Sequence, residues 1–272
     1  MISRMIRLLS LSIALFIAIP ALAFADPAGN VQGLDKSKLE EGVIGVNYEV
    51  KSDVLTRVKV AKGSASYIYT LDASANQQTV WLPLQMGDGS YEISILENVS
   101  GNKYKVALTE KADISVADTA NVFLHPVQNV NWTNAVKATT KAKELTSGQK
   151  TDEQKAVAIY DYIVNNIRYD KELAKKVTSD YIPDIDNTFV TGKGICYGYA
   201  TLYAAMLRSE GIPTKLVMGT TKLLDEYHAW NEVFLNGKWV VVDTTIDAGL
   251  IKSSKKGTFQ KKASDYQPQK VY

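Results

Sequence analysis

Between about residues 43 and 116 the apolar side chains fall on alternate positions in short bursts. Ile44, Val46, Tyr48 and Val50 form the first, and Val58 and Val60 the second. Tyr67, Tyr69 and Leu71 follow, then Val80 and Leu82, then Tyr91, Ile93 and Ile95. Tyr104, Val106 and Leu108 precede a last pair, Ile114 and Val116. Period two is the signature of strands with one buried face. Gly87-Asp88-Gly89 and Ser100-Gly101-Asn102 read as turns, and Pro83 puts its strand on a sheet edge, because proline has no N–H for a second neighbour. Roughly seven short strands at this spacing predict a small antiparallel sandwich. Its tyrosines serve either sheet packing or a ligand surface.

After Asn129 the period lengthens. Thr151-Asp152-Glu153-Gln154 has the form of a capping box, and Ala156, Tyr160, Ile163, Val164 and Ile167 recur at helical intervals, so a helix is predicted over about 152–167. Residues 170–194 hold Pro183, Gly192 and Gly194 with little periodicity, which predicts a long loop walling a site. Asp184-Ile185-Asp186-Asn187 within it lacks the glycine and distal glutamate of a calcium loop and reads as a turn. From Cys196 the pattern is helical again, with Leu202, Met206 and Leu207 apolar, until Gly211 and Pro213. The fold class expected is α+β, with an all-β module over 26–120 ahead of a helix-and-sheet domain over 121–272 that ends in a basic, solvated tail.

The first 25 residues have a different character. Arg4 and Arg7 precede an apolar run from Leu8 to Ile19, Pro20 ends it, and Ala23-Phe24-Ala25 offers small residues for cleavage before Asp26. Residues 1–25 therefore read as a removed signal peptide, and the mature chain as secreted or envelope-associated. No later run reaches the roughly 20 apolar residues of a membrane span, so no transmembrane anchor is expected after processing. Thirty-one basic against 29 acidic residues give no electrostatic case for nucleic acid. Two histidines and one cysteine are too few for a His/Cys zinc site, and no cofactor is implied.

Cys196 is the only cysteine, so no internal disulfide accounts for it in an exported chain. Its place in a first helical turn puts it among unpaired N–H groups at the positive end of the helix dipole, where an anion is stabilised and an oxyanion can be bound. His228 and Asp243 lie on the two arms that flank Asn236-Gly237, the strongest short hairpin signal. With a two-residue turn, 235 pairs with 238 and 228 falls opposite 245. Asp243 is then a diagonal neighbour of His228 on one face; a three-residue turn would put them on opposite faces. Cys196, His228 and Asp243 thus form a candidate nucleophile, base and orienter. Trp230 and Trp239, on the same arms, either wall a water-excluding channel or form ordinary hairpin core.

Three blocks in order, Gly194-Ile195-Cys196-Tyr197-Gly198-Tyr199-Ala200-Thr201-Leu202, Leu207-Arg208-Ser209-Glu210-Gly211-Ile212-Pro213 and His228-Ala229-Trp230-Asn231-Glu232-Val233 with Trp239-Val240-Val241-Val242-Asp243-Thr244, resemble the bacterial transglutaminase-like family over about residues 150–247. Ile167-Arg168-Tyr169-Asp170 resembles the segment that precedes the family's cysteine block, while Asp243-Thr244-Thr245 stands where many members carry Asp-Pro-Thr. The resemblance implies a papain-like core in which the helix bearing Cys196 packs on an antiparallel sheet, with Cys196 as nucleophile, His228 as base and Asp243 as orienter. It implies thiol-dependent acyl transfer or amide hydrolysis through a thioester, on a protein or peptide substrate that includes cell-envelope peptides. The contrasting expectation is a non-catalytic envelope-binding protein that uses its β module and keeps the core as scaffold.

Overall fold

The computed structural model describes residues 32–252 and 257–272; the expected signal peptide lies outside them. Seven strands come first: β1 (Gly33–Asp35), β2 (Val43–Asn47), β3 (Thr56–Lys62), β4 (Ala65–Leu71), β5 (Val80–Pro83), β6 (Gly89–Ser100) and β7 (Lys103–Ile114). They form two antiparallel sheets, ordered β1-β2-β5 and β4-β3-β6-β7. The alternation decides their buried faces: Val58, Val60, Tyr69, Leu71, Ile93 and Ile95 are buried in one cluster with Ile44, Val46 and Leu82. Pro83 ends β5, which is an edge strand as its missing N–H requires. β7 departs from the expected pattern. A bulge beside Ile95 and Leu96 leaves Ala107 unpaired and Val106 exposed.

The second half begins with α1 (Val136–Thr146), which has no strong apolar stripe and buries only small positions such as Ala138 and Ala142. In α2 (Asp152–Asn166) both arms of the Thr151–Gln154 capping box form, as the sequence predicts. The expected loop over 170–194 is instead ordered. After β8 (Arg168–Tyr169) come α3 (Lys171–Ala174), α4 (Ile185–Thr191) and β9 (Lys193–Gly194), and β8 pairs with β9 in parallel. Asp184 is not in a simple turn: its carboxylate caps α4 by accepting from the Asn187 amide at 2.8 Å. Asp186 accepts from the amides of Lys137 and Ala138 and so caps α1 from 48 residues away. Elements of one or two turns repeat the helical period too few times to stand out in the sequence, and a cap delivered from a distant segment leaves no local trace.

The cysteine helix α5 (Cys196–Ser209) is buried on nearly every side from Gly198 to Arg208, so its apolar residues do not make a single stripe. It packs on a four-stranded sheet ordered β12-β11-β10-β13, built from β10 (Thr214–Thr221), β11 (Leu224–Leu235), β12 (Lys238–Val242) and β13 (Tyr266–Val271), with α6 (Thr244–Lys252) between the last two. The architecture is α+β with antiparallel sheets, as expected. The basic tail is not a solvated appendage: β13 pairs along β10, and Tyr266 and Tyr272 are buried. Arg208, buried in α5, donates to the carbonyls of Thr214, His125 and Tyr272, and burial lowers its guanidinium to about 9. No helix of the described residues is long and apolar enough to cross a membrane.

Candidate active site

Cys196 is the first residue of α5, and the preceding Ile195 supplies no side-chain cap. The amides of that first turn are therefore left for an anion or an oxyanion. The β8–β9 pair holds the approach to the helix: the Arg168 amide donates to the Gly192 carbonyl at 2.8 Å and the Asp170 amide to the Gly194 carbonyl at 2.9 Å. Between those bonds sits Tyr169, whose phenol is pushed up by burial and then by the neighbouring Cys196 and Glu226.

The turn between β11 and β12 has the two-residue form. Leu235 pairs with Lys238, and Asn236 and Gly237 both take positive φ, 53° and 77°, as a type I′ hairpin requires. Regular pairing runs up to Asn231 opposite Val242 and there β12 ends, before position 245 is reached. Asp243 then leads into α6, its Oδ1 accepting from the Ile246 amide at 3.0 Å. The expected pair forms: His228 Nε2 and Asp243 Oδ2 are 2.8 Å apart, with exposures of 3% and 0%.

With Nε2 engaged by Asp243, Nδ1 is the nitrogen left free, and Cys196 lies near enough to act on the ring. Burial pulls the imidazole down, but the bonds to Asp243 and Cys196, with their charges, outweigh it and raise His228 to about 9. A third group completes the carboxylate. Tyr266 of β13 donates its hydroxyl to Asp243 Oδ2 at 3.0 Å, and burial followed by the Asp243 charge pushes its phenol well up, keeping the proton on oxygen. Trp230 fills the space between these groups, stacked on His228 at 6.3 Å and against Tyr266 at 5.1 Å. Gly219 makes room for this strand. A Cβ there would lie 2.1 Å from the Gln267 carbonyl oxygen and 3.0 Å from the Trp230 ring.

Cys196 and His228 open into a cavity of about 480 Å³. Its other walls come from β4, from Gln128 and Asn129, from the 177–182 loop, and from Lys270 and Tyr272 at the end of the sheet. Neither tryptophan borders it. Trp230 is buried behind His228, and Trp239 packs on Phe123 and Phe234 with the Lys215 ammonium 3.9 Å above its ring, beside a separate cavity of about 260 Å³. Both serve as packing: Trp230 is buried between His228 and Tyr266, and Trp239 is held among Phe123, Phe234 and Lys215. Of the other carboxylates near the hairpin, Asp225 is exposed, while Asp247 is buried and engaged by Tyr160 at 2.7 Å and by Lys261. Among the described residues no three His, Cys, Asp or Glu side chains converge as a metal site would need.

Tyr266 is the site residue that sequence reasoning misses. Its only local signal is the placing of Tyr266, Val271 and Tyr272 around a polar run, which resembles a tail as much as an edge strand.

A cysteine at a helix start, a buried imidazole and a carboxylate beneath it are the groups that thiol-nucleophile enzymes use. Residues 139–244 match the family model of the Transglutaminase-like superfamily, and the chain carries a domain of that superfamily. The match supports thiol-dependent acyl-transfer or hydrolase chemistry. The kyphoscoliosis peptidases of Mus musculus and Homo sapiens are each 32% identical, over 121 and 118 residues covering 41% and 40% of this chain. This chain spans 18% of the length of each. Among solved structures, a candidate cysteine protease from Cytophaga hutchinsonii is 16% identical with a TM-score of 0.43, covering 73% of this chain and 70% of the other. A TGase is 24% identical with a TM-score of 0.36, covering 44% and 34%.

Proposed function

We propose that the protein is an exported thiol-dependent acyltransferase or amide hydrolase in which Cys196 is the nucleophile, His228 the acid and base, and Asp243 the orienter. The observation that carries this reading is that His228, held by Asp243 on Nε2, shares the wall of one accessible cavity with Cys196 at the start of α5. His228 accepts the thiol proton, and the sulfur attacks the carbonyl carbon of an amide. The C–N bond then breaks, the nitrogen leaves with the proton of the imidazolium, and the acyl group remains on sulfur as a thioester. An amine or water attacks next, gives its proton to His228, and releases Cys196. Asp243 stabilises the imidazolium throughout. The substrates proposed are proteins or peptides, including cell-envelope peptides, a reading supported by the Transglutaminase-like match.

A screen of glutamine-donor, amine-acceptor and peptidoglycan-peptide substrates with mass-spectrometric detection tests the reading. Turnover should vanish on Cys196→Ser and on alkylation; turnover that survives both would overturn it. Export is proposed from the first 25 residues, and N-terminal sequencing of secreted protein should find a start at or near Asp26. Intact Met1 in the cytosol would sink that part.

A further inference from the structure

Among the described residues β4 pairs on one side only, with β3, and so presents a free edge. Three consecutive β4 residues, Ile68, Tyr69 and Thr70, border the cavity that holds Cys196 and His228. Successive strand side chains point to opposite faces, so three in a row meet one cavity only when the strand meets it edge-on. One bond fixes which backbone groups face outward. The Thr70 carbonyl accepts from Gln128 Nε2 at 2.7 Å, and Gln128 borders the same cavity, so that carbonyl points away from β3. Backbone groups keep the same direction at every second residue of an antiparallel strand. The N–H and C=O of Ile68 therefore also point outward, with no strand beside them. Gln128 already occupies the place of an incoming N–H at Thr70; at Ile68 the place is open.

The rim is apolar where the edge is open. Ile68, Ile182 and Tyr227, at 39%, 37% and 51% exposure, all border this cavity. A row of unpaired donors and acceptors flanked by apolar surface is complementary to an extended polypeptide, which satisfies the backbone groups and lays side chains on the rim. A compact surface or an isolated side-chain amide would leave the edge unpaired.

We propose that the free edge of β4 is the substrate rail: an extended polypeptide adds as a strand beside it, exchanging hydrogen bonds with Ile68, and this pairing delivers the scissile carbonyl to Cys196. The proposal rests on the thiol chemistry above but is measurable without it. Ile68→Pro removes the outward N–H without taking a bond from the β3–β4 ladder, the placement at which an edge strand accepts proline. The probe is fluorescein-labelled, reduced and carboxymethylated lysozyme, an unfolded polypeptide, with p-nitrophenyl acetate as a small acyl donor that has no backbone to pair. Ile68→Pro should raise the anisotropy Kd for the polypeptide about tenfold and lower its kcat/KM about tenfold more than that for p-nitrophenyl acetate. Ile68→Ala, which keeps the N–H, should lose less.

An unchanged Kd in Ile68→Pro overturns the rail. So does a stable wild-type dimer in sedimentation that Ile68→Pro dissolves, since the edge would then belong to a second copy. If wild type turns over neither substrate, the thiol reading fails while the Kd comparison still decides the rail. Should Ile68→Pro not fold, a valine-rich decapeptide N-methylated on its odd or its even residues replaces it. At least one isomer should bind about tenfold more weakly than the parent to wild-type protein; equal binding of all three overturns the proposal.

Discussion

Asp243 receives three hydrogen bonds, and each governs a different property of the site. The Ile246 amide on Oδ1 anchors the carboxylate at the start of α6, His228 on Oδ2 sets the imidazole, and Tyr266 shares that same oxygen. Asp243→Asn keeps the shape but presents an N–H or a weaker acceptor to Nε2, so acyl transfer should fall by about 10³–10⁴ in kcat with little change in urea midpoint. Asp247→Asn should do the reverse. It leaves buried Lys261 without its counter-charge, which costs about 3 kcal/mol in urea denaturation while the Cys196–His228 contact stays intact. If Asp247→Asn abolished activity and Asp243→Asn did not, the orienter would be reassigned. Tyr266→Phe removes one neutral donor, and kcat should drop roughly tenfold or less, with the His228 titration moved by NMR. A titration curve identical to wild type would reduce Tyr266 to packing.

At the scale of elements the hairpin and the final strand act together. The Asn236-Gly237 turn sets the register that puts Asp243 on the side of His228, and β13 then brings Tyr266 to the same carboxylate. Gly219 is the contact on which β13 seats, since any Cβ there meets the Gln267 backbone, which cannot swing aside as a flexible side chain would. Gly219→Ala should cost about 1–3 kcal/mol of stability and lower activity by moving Tyr266, even though residue 219 touches no member of the triad. Thermal unfolding and turnover measured on the same sample check this. Wild-type behaviour in both would show that β13 is not held by that approach. Gly237→Ala has open space around its Cβ and pays only for its positive φ, so it should cost about 1 kcal/mol.

At the scale of the whole molecule, the site couples folding to pH. His228 is raised from 6.5 to about 9 in the folded state, so between those values the folded chain binds more protons than the unfolded one. Its contribution is complete below pH 6.5 and is lost as pH rises through about 9, a fall of about 3 kcal/mol across the window. His125 works in the opposite sense: burial lowers it, so it penalises the fold only on the acid side. The urea midpoint should therefore decline from pH 6.5 to 9 in wild type and lose that slope in His228→Ala; an equal slope in both would place the linkage elsewhere. The cavity is also a property of the whole. Its walls come from β4, the 128–129 connection, the 177–182 loop, α5, β11 and the last residues of the chain, segments spread from Ile68 to Tyr272.

What the sequence determined by itself is what short-range chemistry dictates. Alternation marks the strands before residue 116, the Thr151–Gln154 box starts α2, and the need of Asn236-Gly237 for positive φ sets a register that predicts the His228–Asp243 pair. Each depends on neighbours a few residues apart, so each is written locally. The tertiary structure alone decided that the polar run after residue 265 is β13, that Asp186 caps α1, that Trp239 belongs to a different cavity, and that the edge of β4 faces the cysteine. Those outcomes depend on which distant segment supplies the missing partner. A β edge, an uncapped helix or a half-polar strand acquires its role only when that partner arrives.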